Sequence, residues 1–170
     1  MPQSLIGRLL GSARIDFAPT HRPPSLLRLA LATVLALGGS LLADAALVAV
    51  GTTIFPSIHG YVHFAFGDYA KLTIIGVVIA CIGWPIVTRV SSSPRWLFFR
   101  MAIVVTLVFF LPDVWILLRG APSEAVAVLM TMHLAIALVT YNSLVHVAPV
   151  RQAPRQVSPI GDPVSLRRGS

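Results

Sequence analysis

Charge is scarce in this chain, and acidic charge scarcest: of 170 residues only six are Asp or Glu, and the four charged residue types together make up 11%. A soluble domain carries about a quarter charged residues, so a large water-facing domain is excluded. A mean hydropathy of +0.83 and a hydrophobic content of 56% point the same way. Cysteine is reduced to one, Cys81. It leaves no intrachain disulfide and none of the paired-thiol chemistry of membrane oxidoreductases. Catalytic signatures are missing as well: there is no Gly-x-Ser-x-Gly, no Walker loop, no His-Glu-x-x-His and no dinucleotide fingerprint. A bis-histidine haem would need a second intramembrane histidine. No cofactor is expected. The first long apolar run starts after residue 25 and exceeds a signal-peptide core, so no cleavable signal is expected either.

What is present is four long apolar blocks, at about residues 28–55, 71–88, 97–118 and 125–147. Each can cross a hydrocarbon core of about 30 Å at about 1.5 Å per helical residue. The expected fold is an all-α membrane protein, an antiparallel bundle of four transmembrane helices over residues 26–148. Its basic residues divide unevenly. Arg8, Arg14, Arg22, Arg28, Arg89, Arg95, Arg100, Arg151, Arg155, Arg167 and Arg168 fall on one side of the pattern, and only Lys71 and Arg119 on the other. The positive-inside rule therefore puts both termini in the cytoplasm. Because the arginines flank spans and do not gather on a folded basic domain, the net charge of +7 is read as orientation and contact with anionic headgroups, not nucleic-acid binding.

Residues 1–25 form a cytoplasmic N-terminal segment. Leu5, Ile6, Leu9, Leu10, Ala13 and Phe17 share one helical arc with Arg8 and Arg14 off it, which suits a short helix lying in the headgroup layer. Pro19, Pro23 and Pro24 end it, and Ser25 is the expected N-cap of the first span. Residues 149–170, rich in Pro and Arg with little to bury, read as a disordered basic tail. The outer loop, residues 56–70, is aromatic, and Tyr61, Phe64, Phe66 and Tyr69 suit the membrane–water interface. His59 and His63 are spaced i, i+4, and with Asp68 they are candidate metal ligands if that stretch is helical. Interfacial hydrogen bonding is the alternative. In the third loop, Ser123 is the expected N-cap of the last span, with Glu124 near its positive end.

Three ionisable groups lie within hydrocarbon depth: Asp44, Asp113 and His133. A carboxylate at a span centre costs about 2.5–3.5 kcal/mol on insertion scales, so each must face a partner, a cavity or the bundle interior. Counted from the outer ends of their helices they lie about 16, 9 and 13 Å deep, so all three can meet in the outer half of the bundle. Asp44 and His133 are expected within hydrogen-bonding or one-water reach, with Asp113 nearby. Ala32, Ala36 and Ser40 precede Asp44 on one face and form a small-residue stripe for close helix approach. Gly76, Ala80 and Gly83 form a second such face on span two, where Cys81 reads as a small buried hydrophobe. Pro112 beside Asp113 frees backbone polarity one turn away.

The strings His63-Phe-Ala-Phe-Gly-Asp-Tyr69, Ser93-Pro-Arg-Trp-Leu-Phe-Phe-Arg100, Leu111-Pro-Asp113 and Met132-His-Leu-Ala135 resemble small four-span integral membrane proteins of unknown function from actinobacteria, over about residues 26–150. The resemblance implies a multi-pass protein of the plasma membrane and carries over no catalytic residues. Three function classes follow. The first is a non-enzymatic accessory or scaffold subunit of a cell-envelope complex, in contact with membrane lipids and with other membrane-protein subunits or a second copy of itself. The second is an oligomeric proton-linked small-solute transporter or channel using the Asp/Asp/His cluster. The third is an atypical membrane-embedded enzyme.

Overall fold

A computed structural model describes residue 11 and residues 21–152. The amphipathic N-terminal stretch, Gly11 apart, and the tail from residue 153 onward lie outside the described residues. Four long helices carry the fold: α1 (Leu26–Ile54), α2 (Phe66–Val90), α3 (Pro94–Leu118) and α4 (Ser123–Asn142), the last running on through a π-helical stretch at Ser143–Val147. All four are long and apolar enough to cross a membrane, the fourth counted through Val147. The molecule is an all-α bundle of four transmembrane-type helices.

Prolines punctuate it. Pro24 precedes α1, Pro94 opens α3 at a position where a missing N–H costs nothing, and Pro122 precedes α4. Two caps differ from expectation. Ser25 occupies the cap position of α1 but its hydroxyl makes no capping bond. Ser123 is the first helical residue and not the cap; its Oγ donates to Glu124 Oε2 at 3.2 Å. α2 begins at Phe66, about a turn before the expected span, because burial of Tyr69 and Ala70 against the bundle extends the helix through a stretch that reads as loop from its aromatics and Gly67.

Arg151 and Gln152, read from sequence as the start of a disordered tail, form a two-residue antiparallel ladder (β2) with His21 and Arg22 (β1). The ladder ties both ends of the described chain together at one end of the bundle. That end is called here the strand end, and the opposite one, holding residues 55–65, the loop end.

The tightest helix contact is between α1 and α4. A methyl group added at Gly39 would come 2.9 Å from Val139 Cγ1, and one at Gly51 only 2.7 Å from Val128 Cγ2, so both glycines are required by the approach. Ala32, Ala36, Ser40 and Asp44 are buried along the same helix. The second stripe behaves otherwise. A methyl group at Gly76 or Gly83 would meet nothing within 4 Å, and Ala80 is half-buried. α2 turns a different face inward, through Thr73, Val77, Cys81, Trp84 and Thr88.

Side chains inside the bundle separate by depth. At the strand end Ala32, Ala36, Val77, Trp84, Phe98, Leu144 and Ala148 make one apolar cluster. Trp84 Nε1 donates to the Ala148 carbonyl at 2.8 Å, which satisfies both the indole and a backbone oxygen past the π-helical turn. At the loop end Ile58, Tyr69, Ala125, Leu129 and Met132 make another. Of the buried polar residues, Asp44, Thr73 and Asp113 lie toward the loop end, Ser40 and Thr140 below them, and Thr88 and Ser91 at the strand end.

Candidate intramembrane polar site

Asp113 and His133 form the heart of this layer. His133 Nδ1 lies 3.1 Å from Asp113 Oδ2. The same nitrogen lies 2.9 Å from the Leu129 carbonyl, one turn back on α4. A carbonyl only accepts, so Nδ1 carries the hydrogen and donates to Leu129 O. Asp113 Oδ2 is left at ion-pair distance without a hydrogen bond of its own. One proton thus faces two acceptors. The imidazole is held by Phe109, stacked at 5.7 Å and 18°, and by Phe110, edge-on at 6.3 Å. Both rings come from the turn of α3 that precedes Pro112 and Asp113, so one segment supplies the acid and the walls around its partner.

Asp44, fully buried, takes a different partner: Thr73 Oγ1 on α2 donates to its Oδ2 at 2.7 Å. The direct pairs are Asp113–His133 and Asp44–Thr73, and the direct-bond form of the expected Asp44–His133 approach is not taken. Counting residues from helix ends fixes depth but not direction around each axis. His133 does lie within electrostatic reach of Asp44. Asp44 Oδ1 has no hydrogen-bond partner among the described residues, and neither do the hydroxyls of Ser40 and Thr140.

The loop covers the site. Gly60, at φ 78°, separates two short 3₁₀ turns, Pro56–Ile58 and Val62–Phe64. Tyr61 sits edge-on to His63 and to Phe64, both at 5.3 Å. Burial pushes the Tyr61 phenol above its ordinary value, and the negative charge of Asp113 pushes it the same way. His63 is exposed and lies within electrostatic reach of Asp113. Sequence reasoning gave His63 as a metal ligand or an interfacial hydrogen-bonding group and Tyr61 as an interfacial aromatic, and it missed Thr73. A threonine on the buried face of α2, at the depth of Asp44, was the available signal.

His59, His63 and Asp68 do not converge. Among the described residues no group of three His, Cys, Asp or Glu side chains is placed to hold a metal ion. The i, i+4 argument needed a helix that Gly60 interrupts, and Asp68 instead lies 3.9 Å from Lys71 on the exposed start of α2. Beside the polar layer, between α3 and α4, runs a groove of about 180 Å³ lined by Phe99, Thr106, Phe110, Leu134 and Tyr141 among others. Its lining is almost wholly apolar, and Thr106 Oγ1 is satisfied by the Ala102 carbonyl.

The chain is thus a multi-pass helical membrane protein with a buried Asp–His ion pair inside a buried polar network. No family model, curated protein or solved structure matches it, so the reading of its function rests on this geometry.

Proposed function

We propose that the protein is a non-enzymatic, proton-linked channel or small-solute transporter that works as an oligomer, with Asp113, His133 and Asp44 as its proton-carrying groups. The carrying observation is the Asp113–His133 pair at 3.1 Å, one imidazole proton set between a carboxylate and a carbonyl. Ionisable groups at this depth are costly, and where they persist they mark ion and proton pathways. Asp44 is within electrostatic reach of His133 and keeps one oxygen unpartnered, so a charge on the imidazole is felt at the next acid. His63, exposed in the loop, is near enough for its charge to be felt at Asp113.

The oligomer follows from volume. Four helices enclose little space, and the groove beside the polar layer is lined almost wholly by apolar groups, so it offers a hydrated solute no partners. A solute path would form between copies. An accessory-subunit role has less support, because the Ala32, Ala36 and Ser40 stripe is used up inside the bundle. Orientation and location belong to the same proposal: both termini cytoplasmic, in the plasma membrane of a cell with an actinobacterium-like, arginine-rich coding bias, on the strength of Arg22, Arg28, Arg89, Arg95, Arg100 and Arg151 toward the strand end against Lys71 and Arg119 toward the other. Cysteines introduced at Ser57 and Ser123 should react with a membrane-impermeant thiol reagent in intact cells, and cysteines at positions 3 and 165 should not.

The test of function is reconstitution. Proteoliposomes of the wild type should show pH-driven proton flux, and Asp113→Asn and His133→Gln should each lower it about tenfold or more, the scale on which a lost proton carrier acts. Flux equal to that of protein-free vesicles, in protein shown to be folded, would contradict the proposal.

A further inference from the structure

The acids and the imidazole all lie toward the loop end, which leaves the strand-end half of any proton path unassigned. Two hydroxyls there stand out. Thr33, Thr53, Thr106 and Thr131 each donate to the carbonyl four residues back, the usual way a helix threonine satisfies itself in an apolar setting. Thr140 is 5% exposed and makes no such bond. Ser40, fully buried, is unpartnered too, as is Asp44 Oδ1.

The three positions line up along the α1/α4 seam. Ser40 lies one turn, about 6 Å, below Asp44 on α1. Thr140 lies two turns, about 10 Å, below His133 on the same face of α4. The contact of Gly39 with Val139 sets Ser40 and Thr140 at nearly the same depth. Thr140 is flanked by Val139 against α1 and by Tyr141, whose ring stacks on Phe98 of α3 at 6.0 Å, so its side chain points toward the bundle axis. The π-helical stretch begins three residues later, and such stretches occur often at functional sites.

We infer that Ser40 and Thr140 are two further rungs of the path, binding water that joins Asp44 to the strand-end half of the α1/α4 seam. This deepens the proton-carrier reading and rests on it for its purpose, though not for its geometry. A hydroxyl can donate one hydrogen and accept others, so it passes a proton between waters without changing its own charge. Buried polar atoms without protein partners are the places where water binds, and a bound water here joins groups one helical turn apart, too far for a direct bond. A single cation shell fits less well, because Asp44 and Thr140 differ in depth by more than a turn. Below them Ala32, Ala36 and Leu144 form an apolar plug, so the hydrated stretch ends at a dry barrier.

The experiment has two arms. In lipid bilayers, water-edited solid-state NMR of the wild type should show magnetisation passing from water to Ser40 and Thr140 about as fast as to the loop residue Ser57, and much more slowly to Ala36. In proteoliposomes, Ser40→Ala with Thr140→Val should slow proton flux about tenfold at unchanged oligomeric state, and Ser40→Ala with Thr140→Ser, which keeps a hydroxyl at position 140, should recover most of it. Dry signals at both residues, or wild-type flux in the double variant, would overturn the inference. Water at both hydroxyls with no flux in the wild type would uphold the hydrated seam and remove the proton reading.

Discussion

The strand-end and loop-end halves of the bundle are built by the same helices from opposite materials. Around Trp84 the interior is apolar: Phe98 lies 5.0 Å from the indole, Val77 and Leu144 are fully buried, and the indole N–H is satisfied. Around His133 the interior holds two acids, Asp44 and Asp113, each with one oxygen that has no hydrogen-bond partner among the described residues. A protein that needed only to hold four helices together could have filled both halves like the first. Intramembrane hydrogen bonds average about 0.6 kcal/mol, too little to explain acids that cost several times as much to bury. The contrast separates the half that packs around Trp84 from the half that holds the proposed proton carriers.

Breaking the first half should cost the most stability. Trp84→Ala removes the largest fully buried side chain and the bond to Ala148, and should lower stability by about 3–5 kcal/mol, read as an earlier thermal transition in detergent. Trp84→Phe, which loses the bond and less volume, should fall well short of that.

The helix seam should come next. Gly51→Ala places a methyl group 2.7 Å from Val128 Cγ2 and should cost about 1–3 kcal/mol through overpacking. Gly76→Ala meets open space and should be neutral or stabilise by up to about 1 kcal/mol through reduced backbone freedom. Thermal midpoints of the two variants in one detergent check the pair, and equal losses would mean that the α1/α4 approach is looser than described.

These cases also show how far the sequence speaks. Length and hydropathy give the four helices, because bilayer thickness permits little else, and the i, i+4 spacing of Ala32, Ala36, Ser40 and Asp44 gives the buried face of α1. The same reasoning misplaced the contact on α2. Gly76, Ala80 and Gly83 offer a smooth face, but Tyr69, Val77 and Trp84 offer more area to bury, and the bulkier face turned inward. At the site, helix depth brought Asp44, Asp113 and His133 into one layer but could not say that His133 would pair with Asp113 and Asp44 with Thr73. That choice depends on helix rotation, which tertiary packing sets. The short β1–β2 ladder was not legible, since two-residue strands leave no periodic pattern.

The most direct measurement takes Asp44 to asparagine and to leucine, and reads proton flux and thermal stability from the same reconstituted preparations. Asparagine keeps the shape and an oxygen for the Thr73 hydroxyl, whereas leucine leaves that hydroxyl buried without its acceptor, at a cost of about 1–3 kcal/mol. Asp44→Asn should remain folded and assembled, with a thermal midpoint near that of the wild type and its flux lost, while Asp44→Leu should lose both. Asp44→Asn with wild-type flux would contradict the account and return Asp44 to the bonds that hold the helices together.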